Sequence, residues 1–262
     1  MKSTVAIADN CIDVYYRLDR YYITGNSIDF ALNYKDLGGA VTEMTILGND
    51  VFAQAMQDLL ARRNIPLRVI KEVNRPTAIA TMDMVDGDRK HLHFEGNAME
   101  EIEFMQDDIE FLRDFDIVYS ERWAKAGRFI KEAKKDTQIW VYDFSKRLEQ
   151  ISNDEIIPWL DYAFFSYDQD DEYIRSFLKS VNHKGAKCAI ALLGPNGSLA
   201  FDGKRFYQQS ADHVKIVNTV GAGDSYIAAF TFGISIGEDI PTCMFLGKER
   251  ATRIIQQFYP YI

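Results

Sequence analysis

The chain has 262 residues, of which 47% are hydrophobic and 26% are charged, proportions typical of a soluble protein with a sizeable core. Thirty basic and 39 acidic residues give a net charge of −9. Nucleic acids and anionic membranes both favour a basic binding face, so this balance argues against either as a partner. The sequence also contains no apolar run of transmembrane length.

The cysteines favour a reducing compartment. Cys11, Cys188 and Cys243 are widely spaced and odd in number, without a C-x-x-C pair, a pattern typical of reduced thiols. The opening stretch MKSTVAIADN becomes polar too soon for a secretion signal. We therefore expect a cytoplasmic protein.

The first sixty residues predict two strand–helix pairs. TVAIAD (4–9) is typical of a buried strand, and SIDFALNYKDLG (27–38) has apolar residues at helical spacing, with Ser27 as its N-cap. VTEMTILGND (41–50) predicts a strand that ends in a turn. The next apolar residues recur at the spacing of an amphipathic helix: Phe52, Ala55, Met56, Leu59 and Leu60.

Strands and helices continue to alternate to about residue 194, with helices expected near 123–135 and 170–182. This alternation indicates a Rossmann-like three-layer α/β domain that spans residues 1–262 and has a mainly parallel central sheet. Ligand sites of such sheets lie beyond the carboxyl ends of the strands. The later strand candidates are DIVYS (116–120), QIWVYDF (138–144), DYAFFS (161–166) and KCAIALLG (187–194).

Two stretches interrupt the alternation. Residues 10–26 are dense in tyrosine and turn residues, and residues 76–97 predict two strands joined at Asp86-Gly87, a hairpin signal. Neither stretch has a helical crossover. We therefore expect strands from about 11–24 and 76–96 to form a small projecting β-sheet, either a lid over a site or a surface that pairs with a second copy in a homodimer.

The stretch NTVGAGDSYIAAFTFGISIG (218–237) places Gly221-Ala222-Gly223 before Asp224, where a helix-like run begins, and it follows HVKIV (213–217), a strand candidate. Amides at a helix N-terminus lack intrahelical acceptors and carry partial positive charge, so these residues predict an anion cradle. Asp224, kept ionised there, is a candidate general base for phosphoryl transfer to an alcohol. A strain-relieving glycine turn with Asp224 as an N-cap explains the same residues equally well.

Motifs along nearly the whole chain resemble those of the ribokinase-like (PfkB) carbohydrate kinases. NTVGAGDSYIAAF (218–230) is similar to the family signature D-T-x-G-A-G-D. Within the family, DNCIDVY, FEG, VYDFS and FFSYDQDDE resemble the fructoselysine 6-kinases, bacterial enzymes that act on an Amadori-type sugar–amino-acid adduct. The other similar pieces follow in the family's order: DNCID (9–13), TGNSID (24–29), LGNDVF (47–52), DFSKR (143–147) and LLGPNGS (192–198).

The resemblance implies an ATP- and Mg²⁺-dependent sugar kinase with Asp224 as its catalytic base. Asp13 matches the family's substrate aspartate, and Gly25 and Asn26 match its sugar-facing pair, although Asn26 also suits a helix cap. The phosphoryl-binding turn is then Gly221, Ala222 and Gly223. The other substrate candidates are Asp29, Arg147 and Glu95, with Tyr15 beside Glu95 at the amino-acid end, and the nucleotide candidates are Gly194, Gly197, Thr219, Gly221 and Gly223.

Several positions depart from the family pattern. Asn218 replaces an aspartate, Thr24 replaces a glycine and Asp29 replaces an asparagine. The N-x-x-E motif, linked in the family to Mg²⁺ and phosphate, reads S-Y-D-Q at 166–169. Mg²⁺ prefers oxygen ligands and keeps several waters, so a nearby carboxylate is a candidate ligand. An acidic helix start equally explains the residues concerned: Asp168, Asp170, Asp171 and Glu172.

Two other enzyme classes lack their signatures. A dinucleotide-dependent oxidoreductase requires G-x-G-x-x-G after the first strand, where DNCID stands, and a P-loop kinase requires G-x-x-x-x-G-K-[ST]. A non-catalytic binding protein on the kinase scaffold remains open. As acceptor we expect the 6-hydroxyl of fructoselysine, with fructose, ribose, other Amadori adducts and nucleosides as alternatives.

Overall fold

The computed structural model describes residues 1–85, 88–148 and 155–262, so the Asp86-Gly87 turn lies outside the described residues. The strands of the described chain are β1 (Thr4–Ala8), β2 (Cys11–Tyr15), β3 (Arg20–Thr24), β4 (Val41–Leu47), β5 (Leu67–Glu72), β6 (Ile79–Val85), β7 (Asp88–Glu95), β8 (Ile117–Glu121), β9 (Ile139–Asp143), β10 (Tyr162–Ser166), β11 (Cys188–Leu192), β12 (Ser198–Phe201) and β13 (Phe206–Gln209). Its α-helices are α1 (Asn26–Asp36), α2 (Val51–Arg62), α3 (Gln106–Leu112), α4 (Ile130–Ala133), α5 (Glu172–His183), α6 (Ala222–Ile236) and α7 (Ile240–Ile254).

Nine strands form the central sheet, in the order β13-β12-β11-β10-β9-β8-β1-β4-β5. The pairs from β5 to β11 are parallel, and β12 and β13 add an antiparallel edge. In β1, Val5 and Ile7 join one core while Ala6 joins the other. A strand that is apolar on both faces requires helices on both sides of the sheet. The parallel pairs confirm the expected mainly parallel sheet.

Helices cover the two faces. Phe30 of α1 and Phe230 of α6 are fully buried in one core, with α2 and α7 on the same side. Leu112 of α3 and Leu178 of α5 are buried in the other core, with α4. The three-layer α/β architecture is therefore confirmed.

The small sheet, defined here as β2, β3, β6 and β7, has the order β3-β2-β6-β7. Its β2–β6 pair is parallel and its other pairs are antiparallel. All four strands fall within the predicted stretches 11–24 and 76–96. Since β2 follows β1 after two residues and α1 begins two residues after β3, this sheet stands at the carboxyl end of a central strand.

Two local predictions are wrong. HVKIV (213–217) is not a strand. Val217 N–H donates to the carbonyl of Ile255 at 2.7 Å, so this segment lies against the end of α7. Ser27 does not cap α1, because Gly25 holds that position. The Ser27 hydroxyl instead lies within hydrogen-bonding distance of the Asp9 carbonyl and the buried Glu43 carboxyl.

The stretch 123–135 is less helical than expected, with a 3₁₀ turn at Ala126–Phe129 that leads into the four-residue α4. The three cysteines are buried and free. Across the described ranges, no helix combines the length and apolarity needed to cross a bilayer.

Candidate active site

The starts of α1 and α6 meet beside β8 in one hydrogen-bonded cluster. The Asn26 side-chain amide donates to the Asp224 carboxylate (Nδ2–Oδ1 2.8 Å), and the Tyr119 hydroxyl lies 3.5 Å from the same oxygen. The Asn26 backbone N–H donates to the Asp9 carboxylate, just after β1, at 3.2 Å. The cluster therefore lies beyond the carboxyl end of a parallel strand, where α/β sheets place their ligands.

The turn before α6 requires glycine at its first position. Gly221 has a φ of +72°, and a Cβ at this residue would lie 2.5 Å from the Cβ of Pro260. The Ala222 N–H donates to the Thr219 carbonyl at 3.3 Å, which closes the turn. Any larger residue at 221 would strain the backbone and collide with the chain's C-terminal end.

Two amides of this turn remain available to a ligand. The Ser225 N–H donates to the Gly221 carbonyl, whereas in the described chain the N–H groups of Gly223 and Asp224 have no backbone acceptor. They open a 15-residue helix, whose dipole adds positive charge at this end. The sequence predicted an anion cradle at Gly221–Gly223, and the N–H groups without a backbone acceptor in the described chain are those of Gly223 and Asp224.

Asp224 does not cap α6. The helix begins after Gly221 with no side-chain capping bond, and the Asp224 carboxylate is bonded to Asn26 instead. Protein atoms surround this carboxylate, although the residue keeps partial solvent access. The N-cap alternative therefore does not describe Asp224.

The surroundings of Asp224 bring its pKa close to neutrality. Burial and then the charge of the nearby Asp143 raise its pKa, the hydrogen bond from Asn26 and the charge of Arg89 lower it, and the net pKa is about 7. Burial also raises the pKa of Asp143, at the end of β9, to about 6. A carboxyl group with a pKa near the working pH is suited to general base catalysis.

A second carboxyl group enters from the small sheet. Asp13 of β2 is 4% exposed, and burial raises its pKa to about 7, against the lowering effects of Arg89 and of a hydrogen bond from the Tyr22 hydroxyl. Arg89 of β7 thus acts on both Asp13 and Asp224. The small sheet and the main sheet contribute to one electrostatic unit.

Asp29 is the third carboxyl group of this unit. The Thr24 hydroxyl donates to its Oδ2 at 2.7 Å, and its buried Oδ1 has no hydrogen-bond partner. Burial, and then the charge of Asp224, raise the pKa of Asp29 well above its ordinary value. A protonated carboxyl group offers one donor and one acceptor, as an asparagine side chain does, which accounts for its presence where the family has asparagine.

Gly25 sets the direction in which Asn26 enters the cluster. Its φ is +124°, and a Cβ there would lie 2.1 Å from the Asp9 carbonyl oxygen. Only glycine allows the start of α1 to approach the bend after β1 this closely. Its role is backbone approach beside the site.

A cavity of about 540 Å³ lies beyond β9 and β10. Arg147 is on its wall, with its guanidinium 5.1 Å from the Trp123 ring centre. Two cationic side chains and a carboxylate make this cavity suitable for a charged, phosphate-bearing ligand. Its lining includes Lys146, Arg147, Ser166, Tyr167, Asp168 and Tyr173.

The acidic residues after β10 divide into two groups. Asp170 forms two hydrogen bonds of 2.6 Å with Arg175, and Asp171 caps α5 by accepting from the Ile174 N–H. The acidic-helix-start explanation therefore holds for both, and Asp170 is engaged rather than available as a ligand. Of the four carboxylates considered as metal ligands, Asp168 is the one that lines the cavity.

The remaining predicted residues have no hydrogen bond to Asp224 within the described chain. Gly197 has a φ of +89°, and a Cβ there would lie 1.9 Å from the Gln209 carbonyl oxygen of β13. The close approach of the β12–β13 hairpin is therefore sufficient to require glycine at this position. Gly194 faces open space. Glu95 is exposed at the end of β7, 3.8 Å from His93. Tyr15 is 1% exposed, and its hydroxyl shares a hydrogen bond with that of Tyr22 at 3.0 Å.

Sequence reasoning missed four members of the cluster. Asp9 and Asp143 stand at the carboxyl ends of apolar strands, a signal that was present in the sequence. Tyr119 lies inside a strand, and Arg89 is one of several charges in a hairpin. Only the folded arrangement associates these two with Asp224.

The chain is similar to known proteins over most of its length. Residues 19–262 match the model of the pfkB family carbohydrate kinases. The chain belongs to this family. The match covers most of the chain and confirms both the resemblance and the enzyme class, so the protein is a carbohydrate kinase of an ATP-using family.

Individual relatives span the full chain. Fructoselysine 6-kinase from Shigella flexneri is 30% identical over 98% of this chain and 98% of its own. Fructosamine kinase from Bacillus subtilis (strain 168) is 25% identical, with 98% and 94% covered. Ribokinase from Arabidopsis thaliana, solved with ribose and ATP, superposes with a TM-score of 0.80 at 20% identity and covers 98% of this chain and 93% of that one, which shows the shared fold.

Proposed function

We propose that this kinase transfers the γ-phosphoryl group of ATP to a primary hydroxyl of a sugar-amine, namely the 6-hydroxyl of fructoselysine. The observation that carries the proposal is the contact between Asn26 and Asp224, which holds a carboxylate of pKa about 7 beside two free helix amides. The names of the full-length relatives, a fructoselysine kinase and a fructosamine kinase, support the acceptor.

In this proposal Asp224 takes the proton from the acceptor hydroxyl as its oxygen attacks phosphorus in line. The N–H groups of Gly223 and Asp224 bind the migrating phosphoryl group, and Gly221 and Ala222 shape the turn that presents them. Positioning and charge stabilisation supply most of the catalysis in phosphoryl transfer, and both are provided within four residues.

In the same proposal, side chains of β2 and α1 hold the sugar acceptor. Asp13 accepts hydrogen bonds from sugar hydroxyls, while Asn26 and Asp29 orient the sugar next to Asp224. Arg147 is assigned to the anionic end of the substrate, and Glu95, exposed on the small sheet, to its ammonium group. The carboxyl groups of Asp9, Asp13, Asp29 and Asp224 lie near one another, and a site rich in carboxyl groups favours a substrate that carries positive charge.

The nucleotide is assigned to the neighbouring loops, with Gly194, Gly197 and Thr219 around it. No group of three or more metal-ligating side chains occurs in the ranges the structure describes, but Mg²⁺ on a nucleotide needs only one or two carboxylates and completes its shell with phosphates and water. Asp168 fits that requirement, and a bound Mg²⁺ supplies charge neutralisation of the phosphates.

An acceptor panel tests the function. Purified protein is incubated with ATP and Mg²⁺ and with fructoselysine, fructose, ribose, a nucleoside or no acceptor, and ADP is measured. We expect the highest kcat/KM with fructoselysine, and a product whose 6-position carries the phosphate. Preference for a neutral sugar would support kinase activity but refute a sugar-amine as the acceptor. Binding without turnover would indicate a non-catalytic binding protein.

We also propose that residues 1–262 act as one unit, in which the small sheet serves as a lid and pairs with a second copy. Its edge strand β7 exposes Leu92 and Phe94, each more than half accessible, and an exposed apolar edge favours pairing. Sedimentation of the wild type and of Phe94→Asp tests the dimer. Free cysteines and the net charge of −9 support a cytoplasmic enzyme without nucleic-acid or membrane partners.

A further inference from the structure

Residues 219–223, the turn at the start of α6, are called the phosphate turn. The last residues of the chain contact both the small sheet and this turn. We call Phe258–Ile262 the C-terminal strap. The Phe258 ring lies 5.1 Å from the Tyr15 ring and 5.7 Å from the Tyr22 ring, and the Arg20 guanidinium lies 5.1 Å from its centre. Tyr259 adds a second edge-on contact to Tyr22 at 5.8 Å. The strap thus supports the small sheet through an aromatic cluster.

This cluster lies directly behind an acceptor candidate. Tyr22 is paired with Asp13 across the β2–β3 pair, and an interaction with its hydroxyl lowers the pKa of the Asp13 carboxyl group. The Tyr15 and Tyr22 hydroxyls are 3.0 Å apart and share a hydrogen bond. Because Phe258 packs on both rings, it limits where the Tyr22 hydroxyl, and therefore the Asp13 carboxylate, can lie.

The strap also contacts the phosphate turn. The Pro260 ring occupies the space next to Gly221, where any Cβ would collide with it. The Asn218 side-chain amide donates to the Phe258 carbonyl at 2.9 Å, while its Oδ1 accepts from the Val220 N–H at 3.1 Å. The two ends of the Asn218 amide therefore join the strap to the turn.

This geometry accounts for a departure from the family signature. Asn218 also interacts with the Tyr15 hydroxyl, which opposes the effect of burial on the pKa of that hydroxyl. An ionised aspartate at 218 has no N–H to donate and would face the Phe258 carbonyl with a second negative oxygen. The strap itself is anchored to α1 and α2, because Asn33 donates to the Pro260 carbonyl at 2.9 Å and Arg63 donates to the Ile262 carbonyl.

We propose that the C-terminal strap is a positioning element of the transfer site: it holds Tyr22 behind Asp13 and Pro260 behind Gly221, and so fixes the acceptor carboxylate relative to the phosphate turn. The proposal assigns the strap no direct contact with either substrate. Its effect passes through the residues that it supports. The proposal rests on the proposed function for its kinetic test and on the fold alone for its exchange test.

Kinetics separate the two arms of the strap. Phe258→Ala removes the aromatic support of Tyr22, and we expect the acceptor KM to rise about two- to tenfold with a smaller change in kcat, the range for loss of one or two aromatic pairs. Phe258→Leu, which keeps apolar bulk, should recover part of it. Phe245→Ala removes an exposed aromatic residue from α7 and should leave both constants unchanged.

The turn arm is tested by Asn218→Asp. We expect kcat to fall at least about tenfold, since a lost donor and an added charge act on the phosphate turn, with the acceptor KM little changed. Asn182→Asp is the matched control. Asn182 lies in the last turn of α5, and its side-chain amide also donates to a backbone carbonyl, that of Ala186 at 2.8 Å. Equal losses in the two variants, or an unchanged kcat in Asn218→Asp, would overturn the proposal.

Hydrogen exchange provides a test that needs no activity. A chain ending at Gln257 lacks the strap, and we expect faster amide exchange at residues 11–24 and 219–223, with residues 188–192 of β11 unchanged. Phe245→Ala, an exposed change on α7 that leaves the strap intact, is the control and should exchange like the wild type. Unchanged exchange at both segments would refute the strap even if the enzyme is active, whereas wild-type inactivity on every acceptor would refute only the proposed function.

Discussion

The Asn26 side chain donates from the first turn of α1 to the Asp224 carboxylate in the first turn of α6, across 198 positions of sequence. This bond favours the ionised form of Asp224, whereas burial and the charge of Asp143 favour the protonated form. The opposing effects leave the pKa of Asp224 at about 7. The two helix starts therefore cooperate in setting a proton affinity as well as a geometry.

The pH dependence of catalysis should show this balance. Because the base must be deprotonated, we expect kcat/KM of the wild type to rise with pH to a plateau, with an apparent pKa of about 7 for the carboxyl cluster. Asn26→Ala removes a bond that stabilises the carboxylate and should move this rise to higher pH. Asp143→Asn removes a neighbouring negative charge and should move it to lower pH.

The opposite signs make this pair of variants a strict test. Profiles are measured with an acceptor that does not ionise between pH 5 and 9, and the titration of ATP, whose terminal phosphate has a pKa of about 6, is common to wild type and variants, so differences between the profiles report on the enzyme. Two shifts in the same direction would show that altered folding, and not charge, is responsible. No shift in either variant would place the titrating group somewhere other than Asp224.

Loss of the carboxylate itself should be severe. Asp224→Asn keeps the shape of the side chain but removes the proton acceptor, and we expect kcat to fall about 10²- to 10⁴-fold, the usual contribution of a general base. Thermal unfolding should stay near that of the wild type. Glu238→Gln, at an exposed position beyond the same helix, is the control and should retain full activity. Full activity in Asp224→Asn would remove this residue from the chemistry.

The central sheet could be read from the sequence where strands are apolar on both faces. Ile139–Asp143 and Tyr162–Ser166 lie in the middle of the sheet, and their apolar residues enter the cores of both faces. HVKIV (213–217) has a similar composition, yet it has no neighbouring strand and leaves Ile216 half exposed. Local composition specifies an extended backbone, but partners from distant parts of the chain decide whether it becomes a strand.

The site shows the same limit. Asp224 and Asn26 were recognisable because each stands in a local motif at a helix start. Arg89 was not, since its effect on Asp224 depends on how the small sheet is placed. The asparagine at position 218 was visible in the sequence as a departure, but its reason lies in the Phe258 carbonyl that it contacts, 40 residues away.

Gly221 and Gly223 of the phosphate turn should respond differently to substitution by alanine. At Gly223 the nearest atom to an added Cβ is Leu192 Cδ1 at 3.9 Å, so the fold has room for it, while the methyl group would crowd the free amides. We expect Gly223→Ala to lower kcat at least about tenfold with unfolding unchanged, since a Gly→Ala change is neutral or favourable by up to about 1 kcal/mol where the backbone allows it.

Gly221→Ala should instead destabilise the protein. The positive φ and the collision with Pro260 combine backbone strain with overpacking, each of which costs about 1–3 kcal/mol. Denaturant unfolding of the two variants separates the effects. If Gly223→Ala proved as unstable as Gly221→Ala, its loss of activity would have no bearing on the anion cradle.

Glu43 provides a test of stability against pH. It is fully buried on β4, where Ser27 contacts Oε1 and Oε2 has no partner, and burial raises the pKa of its carboxyl group well above 4.5. A raised folded-state pKa means that its contribution to stability is complete below pH 4.5 and is lost as pH rises toward the folded value. Glu43→Gln cannot ionise, so its free energy of unfolding should gain on that of the wild type with increasing pH, by at most about 1.4 kcal/mol per pH unit. Glu132→Gln, at an exposed position, should follow the wild type throughout. A constant difference between Glu43→Gln and the wild type from pH 5 to 8 would mean that Glu43 does not bind its proton more tightly in the folded protein.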